Sequence, residues 1–214
     1  MDIVDPRIEG YVRGLLARHD EPVLLEMERE AEERGFPIVG RTVGVTLELL
    51  ARAVGARRVF ELGSGYGYSA YWFARAVGEQ GEVHCTDDDP SNEGRAADLL
   101  GRAGLWARVR WWVGDALEGL AAAEGDFDVI HCDIDKHGYP DAWRAARDRV
   151  RVGGLYLCDN VLWSGRVAVA DPDDGRPGWT EAIREHNQMI AADPRYLSVV
   201  IPTRDGVMAA LRLA

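Results

Sequence analysis

The sequence predicts an α/β fold: a mostly parallel sheet with helices on both faces and a reversed hairpin at one edge. Two observations carry the prediction. From residue 58 onward, short apolar runs of strand type alternate with segments of helical period. At the end, two such runs follow one another directly across a turn signal, which suits an antiparallel edge pair.

The elements read in order as follows. The first 55 residues are helical in character. Glu21–Arg34 is strongly charged and stops at Gly35, a C′ residue. Thr42–Val54 puts Val43, Leu47, Leu50, Ala51 and Val54 on one stripe and stops at Gly55. Five strands are expected at Arg58–Leu62, Glu82–Thr86, Val109–Val113, Phe127–Cys132 and Gly154–Cys158. Helices are expected between them at Ser69–Val77, Ser91–Ala103, Asp115–Ala123 and Tyr139–Val150. Leu197–Pro202 and Val207–Leu213 form the closing hairpin around Thr203–Gly206, which brings the sheet to seven strands. At 214 residues the chain suits one domain, 1–214, with N-terminal helices (1–55) over a ligand-binding core (56–214).

Composition excludes several classes. Hydrophobic residues at 47% and charged residues at 29% argue for a packed globule and against disorder. No apolar run approaches the ~18 residues of a membrane span. The acidic start, Met1–Arg7, carries no apolar stretch, and no secretory signal is expected. A net charge of −11 is a poor footprint for nonspecific binding to nucleic acid or an anionic membrane. Three scattered cysteines, Cys85, Cys132 and Cys158, fit neither a disulfide framework nor a zinc site, and a cytoplasmic location is expected. Arginines number 24 and lysines one, Lys136. Arginine holds its proton where lysine can release it, so the position of that single lysine is informative.

The first strand runs into Glu61-Leu-Gly-Ser-Gly-Tyr-Gly-Tyr-Ser69, a glycine loop that opens a helix and brings backbone close to a ligand. Its spacing is G-x-G-x-G, and the carboxylate of Glu61 precedes it. A loop built for phosphate gains little from that charge, whereas a cationic sulfonium donor tolerates it. Asp87, at the end of the second strand, is placed to take ribose hydroxyls, with Asp88 and Asp89 as adjacent alternatives. Gly114-Asp115-Ala116 ends the third strand at the height of an adenine. Together these favour S-adenosylmethionine (SAM) over a nicotinamide cofactor.

Strands four and five end in Cys132-Asp-Ile-Asp-Lys136 and Cys158-Asp-Asn160. If the two strands are neighbours, Asp133, Asp159 and Asn160 converge as hard oxygen ligands suited to Mg²⁺. The competing reading makes Asp159-Asn160 a sheet cap and gives Asp133 to the donor's ammonium.

The chain resembles the SAM- and divalent-metal-dependent O-methyltransferases of the catechol and caffeoyl-coenzyme A type. The likeness rests on E-L-G-S-G-Y-G-Y-S (61–69), on D-x-D-K with Tyr139 after it, and on G-G-L-x-x-x-D-N-V-L-W-S-G-R-V (153–167). Pro37–Gly44 and Asp205-Gly206 extend it over nearly the whole chain. The resemblance implies a Rossmann-like class I methyltransferase fold. It implies a divalent cation, Mg²⁺ first with Mn²⁺ or Ca²⁺ as alternatives, on Asp133, Asp159 and Asn160. It implies Lys136 as the base, and donor contacts from Val39, Glu61, Gly63, Ser64, Gly65, Ser69, Asp87, Asp115 and Asp133. Several relatives carry an aromatic residue where Gly65 stands here. Many relatives are homodimers, so a homodimer is expected.

Such chemistry suits these residue types. A chelated hydroxyl loses its proton more readily, and a lysine whose pKa falls beside two cations accepts it. The acceptor is therefore expected to be a small molecule with catechol-like oxygens. A hydroxylated tRNA base is the alternative, with Arg57, Arg58, Arg108 and Arg110 as its basic patch. Trp111 and Trp112 are expected in the core, and Trp163 either beside the acceptor or in a packing role. His131 and His186 are given no role in the chemistry, and His137 at most one behind the site. Arg166–Trp179 reads as a loop beside the site that could order on binding.

Overall fold

The computed structural model describes residues 3–170 and 176–214. Three helices precede the sheet: α1 (Pro6–Gly14), α2 (Pro22–Arg34) and α3 (Gly40–Ala53). Then β1 (Arg58–Leu62), α4 (Tyr68–Val77), β2 (Glu82–Asp87), α5 (Pro90–Arg102), β3 (Val109–Val113) and α6 (Ala116–Ala122) alternate. They are followed by β4 (Phe127–Cys132), α7 (Tyr139–Ala146), β5 (Val150–Cys158), α8 (Trp179–Ala192), β6 (Tyr196–Ile201) and β7 (Val207–Arg212). Local chemistry sets the ends. Pro22 and Pro90 open α2 and α5, Asp89 accepts from Ser91 N–H at 2.8 Å to cap α5, and Gly35 closes α2 at a left-handed φ of 62°.

The sheet order is β3-β2-β1-β4-β5-β7-β6. The first five strands pair in parallel, and β7 joins β5 and β6 antiparallel, as the sequence predicts. The chain winds one way from β1 to β3 and the other way from β4, so a crevice opens at the carboxyl ends of β1 and β4. Side chains alternate across the sheet. Val59, Val83, Val129 and Leu157 meet α3, α4 and α5 on one face through Leu47, Trp72 and Leu99. Phe60, Leu62, Ile130 and Tyr156 meet α6, α7 and α8 on the other through Leu120, Trp143 and Ile183.

Three expectations need correction. The helix expected through Val150 ends at Ala146, and β5 begins at Val150 because that residue pairs with Phe127. The register then slips between Phe127 and Val129, and residues 151–154 form the irregular start of the strand. Trp112 is not core: β3 is an edge strand, and Trp112 is 41% exposed. Helix α8 lies where no helix was expected, with Thr180, Ile183, His186 and Ile190 buried on one stripe. Of the loop expected at 166–179, residues 171–175 lie outside the described residues. Residues up to Ala168 form a 3-10 turn, and Trp179 already belongs to α8. No helix among the described residues is long and apolar enough to cross a membrane.

Candidate active site

A crevice of about 970 Å³ opens over the glycine loop and the ends of β4 and β5. It is lined by Val39, Gly63, Ser64, Gly65, Ser69, Asp87, Asp133, Lys136, Asp159 and Asn160, ten of the twelve residues singled out from sequence. The other two, Glu61 and Asp115, do not line it.

Asp115 caps α6, accepting from the N–H groups of Leu117 and Glu118 at 2.8 and 2.9 Å. Glu61 is fully buried beneath the loop. Its carboxylate accepts from the Ser64 hydroxyl at 3.2 Å and faces His131 Nδ1 at 3.4 Å. Burial alone would lower the His131 pKa, but the Glu61 charge outweighs it and raises it. Thr86 completes the support: its hydroxyl accepts from Gly63 N–H at 3.1 Å and donates to the Glu61 carbonyl at 2.8 Å, while its carbonyl accepts from Ser64 N–H. The loop is thus held from below by buried hydrogen bonds, and its upper surface is left to the crevice.

Among the three aspartates after β2, only Asp87 lines the crevice. It accepts from Asn92 Nδ2 at 2.8 Å and Asp89 N–H at 3.0 Å, which orients the carboxylate. Asp89 is spent as the α5 cap. The Val39 carbonyl, expected near the donor, accepts from Arg204 of the β6–β7 turn, as does Ile38 at 2.9 Å. Over the loop, Arg41 holds Glu28 with two bonds of 3.0 and 2.7 Å, and Tyr68 donates to the same carboxylate at 2.7 Å. That network ties α2, α3 and α4 together along the crevice wall.

At the other end, strand pairing brings the acidic cluster together. Cys132 is the β4 partner of Cys158 on β5, so Asp133 and Asp159 leave adjacent strands side by side. Asp159 is buried, and its Oδ1 has no hydrogen-bond partner. Burial, and then the charge of Asp133, push its pKa up to about 7. Asn160 follows at a left-handed φ of 57°. A buried carboxylate with a vacant oxygen, a second carboxylate and an amide oxygen fit a hard divalent cation. They are only two carboxylates: among the described residues no group of three or more His, Cys, Asp and Glu side chains is arranged for a metal.

Lys136 is buried, with Nζ 2.9 Å from Asp133 Oδ1 and 5.0 Å from the centre of the Tyr139 ring. Sequence reading expects its pKa to fall; in this structure it is raised. Burial works against the ammonium, but the Asp133 carboxylate outweighs burial. Tyr139, itself buried, donates to the Asp159 backbone carbonyl at 2.8 Å, which ties the residue beneath the lysine to the end of β5. Trp163 lines the crevice beside this cluster, as expected, and packs on Trp179 with ring centres 5.5 Å apart. His137 does not line it. The arginines of the proposed RNA patch belong to the amino ends of β1 and β3, opposite the crevice, where Arg58 is paired with Glu82 at 2.7 Å.

Sequence reading missed Phe36 and Arg204, which also line the crevice, and the His131–Glu61 pair below it, whereas Trp179, at the end of the segment expected beside the site, does line it. Phe36 carried a signal: a single aromatic between a helix-ending glycine and Pro37.

The chain is similar to known proteins over nearly its whole length. A family model described as O-methyltransferase matches residues 17–213. Over 192 residues the chain is 32% identical to a catechol O-methyltransferase of Niastella koreensis, covering 87% of this chain and 85% of that protein. It is 31% identical over 181 residues to caffeoyl-CoA O-methyltransferase 2 of Petunia hybrida, covering 80% and 74% of the two chains. The O-methyltransferase TomG of Streptomyces achromogenes, solved in complex with SAM, superposes with a TM-score of 0.86 at 28% identity, covering 97% and 96%.

Proposed function

The chain belongs to the O-methyltransferase family, and from that premise we propose that it methylates one hydroxyl of a small acceptor that chelates a divalent cation. Catechol-like vicinal oxygens are the acceptor class. The observation that carries this reading is the meeting of Asp133, Lys136, Asp159 and Asn160 at one end of the crevice that holds the glycine loop.

In this reading the donor is SAM. Its ribose hydroxyls bond to Asp87, its chain lies on the backbone of Gly63, Ser64 and Gly65, and its methionine end reaches Ser69, Val39 and Asp133. Glu61 and Asp115 act indirectly, one through Ser64 and the other by capping α6. Asp133, Asp159 and Asn160 would hold the cation. When bound, a divalent cation lowers the pKa of a chelated hydroxyl and fixes its oxygen. Lys136 Nζ, once its own proton has passed to solvent, accepts the proton of the acceptor hydroxyl. An oxygen–methyl bond forms as the sulfur–methyl bond breaks in line, and S-adenosylhomocysteine (SAH) leaves.

The test is methyl transfer from labelled SAM to a panel of catechols and, separately, to tRNA, with Mg²⁺ present. Methylated catechol and unlabelled tRNA are expected. Methylation of tRNA alone would replace this reading with the RNA-modifying one.

A further inference from the structure

Gly65 leaves a space that a residue from outside the loop fills. It stands at a left-handed φ of 50°, and a Cβ built on it would lie 2.9 Å from Phe36 Cε1 and 3.1 Å from Cζ. The Phe36 ring therefore occupies the place a side chain at position 65 would take. It is held there. Tyr66 meets it edge to face at 5.0 Å, and Tyr66 is buried and anchored by donating to the Met27 carbonyl at 2.7 Å. The Arg34 guanidinium lies 5.6 Å from the Phe36 ring centre, and Glu30 pairs with that guanidinium at 2.7 Å. Phe36 is half-buried and lines the same crevice as Gly63, Asp87 and Asp133.

We infer that Phe36 is the aromatic wall for the donor's sulfonium, so that the site favours charged SAM over its neutral product SAH. The inference rests on the donor placement proposed above. Gly63, Gly65 and Phe36 line the crevice that also holds Asp87 and Lys136, so a donor with its ribose at Asp87 and its methyl directed toward Lys136 would bring its sulfur to the Phe36 ring. A cation facing an aromatic ring is attracted by the ring's quadrupole, an attraction that a neutral thioether lacks. SAM and SAH share their adenosine and amino-acid groups and differ only in the methyl and its charge. A ring in contact with the sulfur therefore discriminates between them and helps product leave.

Calorimetric affinities for SAM and SAH, measured in Mg²⁺ on the wild type and on Phe36→Leu, Phe36→Met, Phe36→Tyr and Asp87→Ala, test this. Leu and Met keep an apolar side chain and lose the ring, so either one suffices if the other fails to fold. Both are expected to weaken SAM by about three- to thirtyfold, and SAH by less than about twofold. Phe36→Tyr should keep the wild-type ratio of the two affinities, and Asp87→Ala should weaken both ligands in equal proportion. Equal losses of SAM and SAH in the Leu and Met variants would reduce Phe36 to packing and overturn the inference. Unchanged affinities in Asp87→Ala would overturn the donor placement, and the inference with it.

Discussion

Lys136 Nζ donates to Asp133 Oδ1 at 2.9 Å, so the proposed base and a proposed cation ligand form an ion pair within the chain itself. The pair explains why the lysine is held protonated in this structure, and it ties release of that proton to whatever else occupies Asp133. Arginine at 136 could still pair with Asp133 but would hold its proton at any working pH. Lys136→Arg is expected to fold and bind SAM, yet to lose about 10²–10⁴-fold in turnover, the usual worth of a positioned base. The loss should shrink for catechols with more acidic hydroxyls. Steady-state rates on a ring-substituted series check this; a uniform, near-normal rate would leave Lys136 a charge or packing residue.

Asp87 is oriented by Asn92 and the Asp89 N–H, and its two neighbours in sequence do not line the crevice. Asp87→Ala should weaken SAM binding by about 1–3 kcal/mol, the cost of leaving polar ligand groups unpaired. The same change at Asp88 should leave affinity within error. Calorimetric titration of both variants distinguishes them.

The closing hairpin supports the loop that carries Asn160. Val161 N–H donates to the Gly206 carbonyl at 3.1 Å, and Leu162 N–H to the Asp205 carbonyl at 2.9 Å. Gly206 has a φ of 83°, and a Cβ there would meet Leu162 Cγ at 2.5 Å. Gly206→Ala is therefore expected to cost about 1–3 kcal/mol in denaturant unfolding, from overpacking and left-handed strain together. It should also weaken the cation dependence of activity, because the displaced loop carries Asn160.

His186 gives the fold an acid-sensitive point away from the site. It is buried between the Tyr156 hydroxyl at 3.0 Å and Asn187 Oδ1 at 3.2 Å, and burial lowers its pKa from the ordinary 6.5 to about 4. The unfolded chain then binds the proton more readily than the folded one. This stabilisation is fully present above pH 6.5 and is lost as pH falls toward 4. Relative to His186→Gln, the wild type should lose about 3 kcal/mol across that window. Urea unfolding at a series of pH values measures the difference.

What was legible in the sequence follows from where physics leaves local marks. The strand-end carboxylates of β2, β4 and β5 stand out against apolar runs, and adjacency of β4 and β5 was all that Asp133 and Asp159 needed to meet. Helix α8 was hidden because its buried stripe includes Thr180 and His186, which dilute the apolar period. Val150 misled because it continues the helical spacing of Tyr139, Trp143 and Ala146, while its strand partner, Phe127, is far away in sequence. Glu61 and Asp115 were recognised as special, and the structure shows one bonded to Ser64 beneath the loop and the other capping α6: a carboxylate under a loop or at a helix start looks, in sequence, like one facing a ligand. Phe36 reaches Gly65 only through the fold, across nearly thirty residues of chain.

Asp133, Asp159 and Asn160 are proposed to hold a divalent cation on which methyl transfer depends. The most direct measurement is the rate of SAM-dependent catechol methylation by protein stripped with a chelator, before and after Mg²⁺ or Mn²⁺ is returned. No turnover is expected in the stripped protein, with recovery on adding either cation and none in Asp159→Ala. Full turnover by the metal-free protein would contradict the proposal.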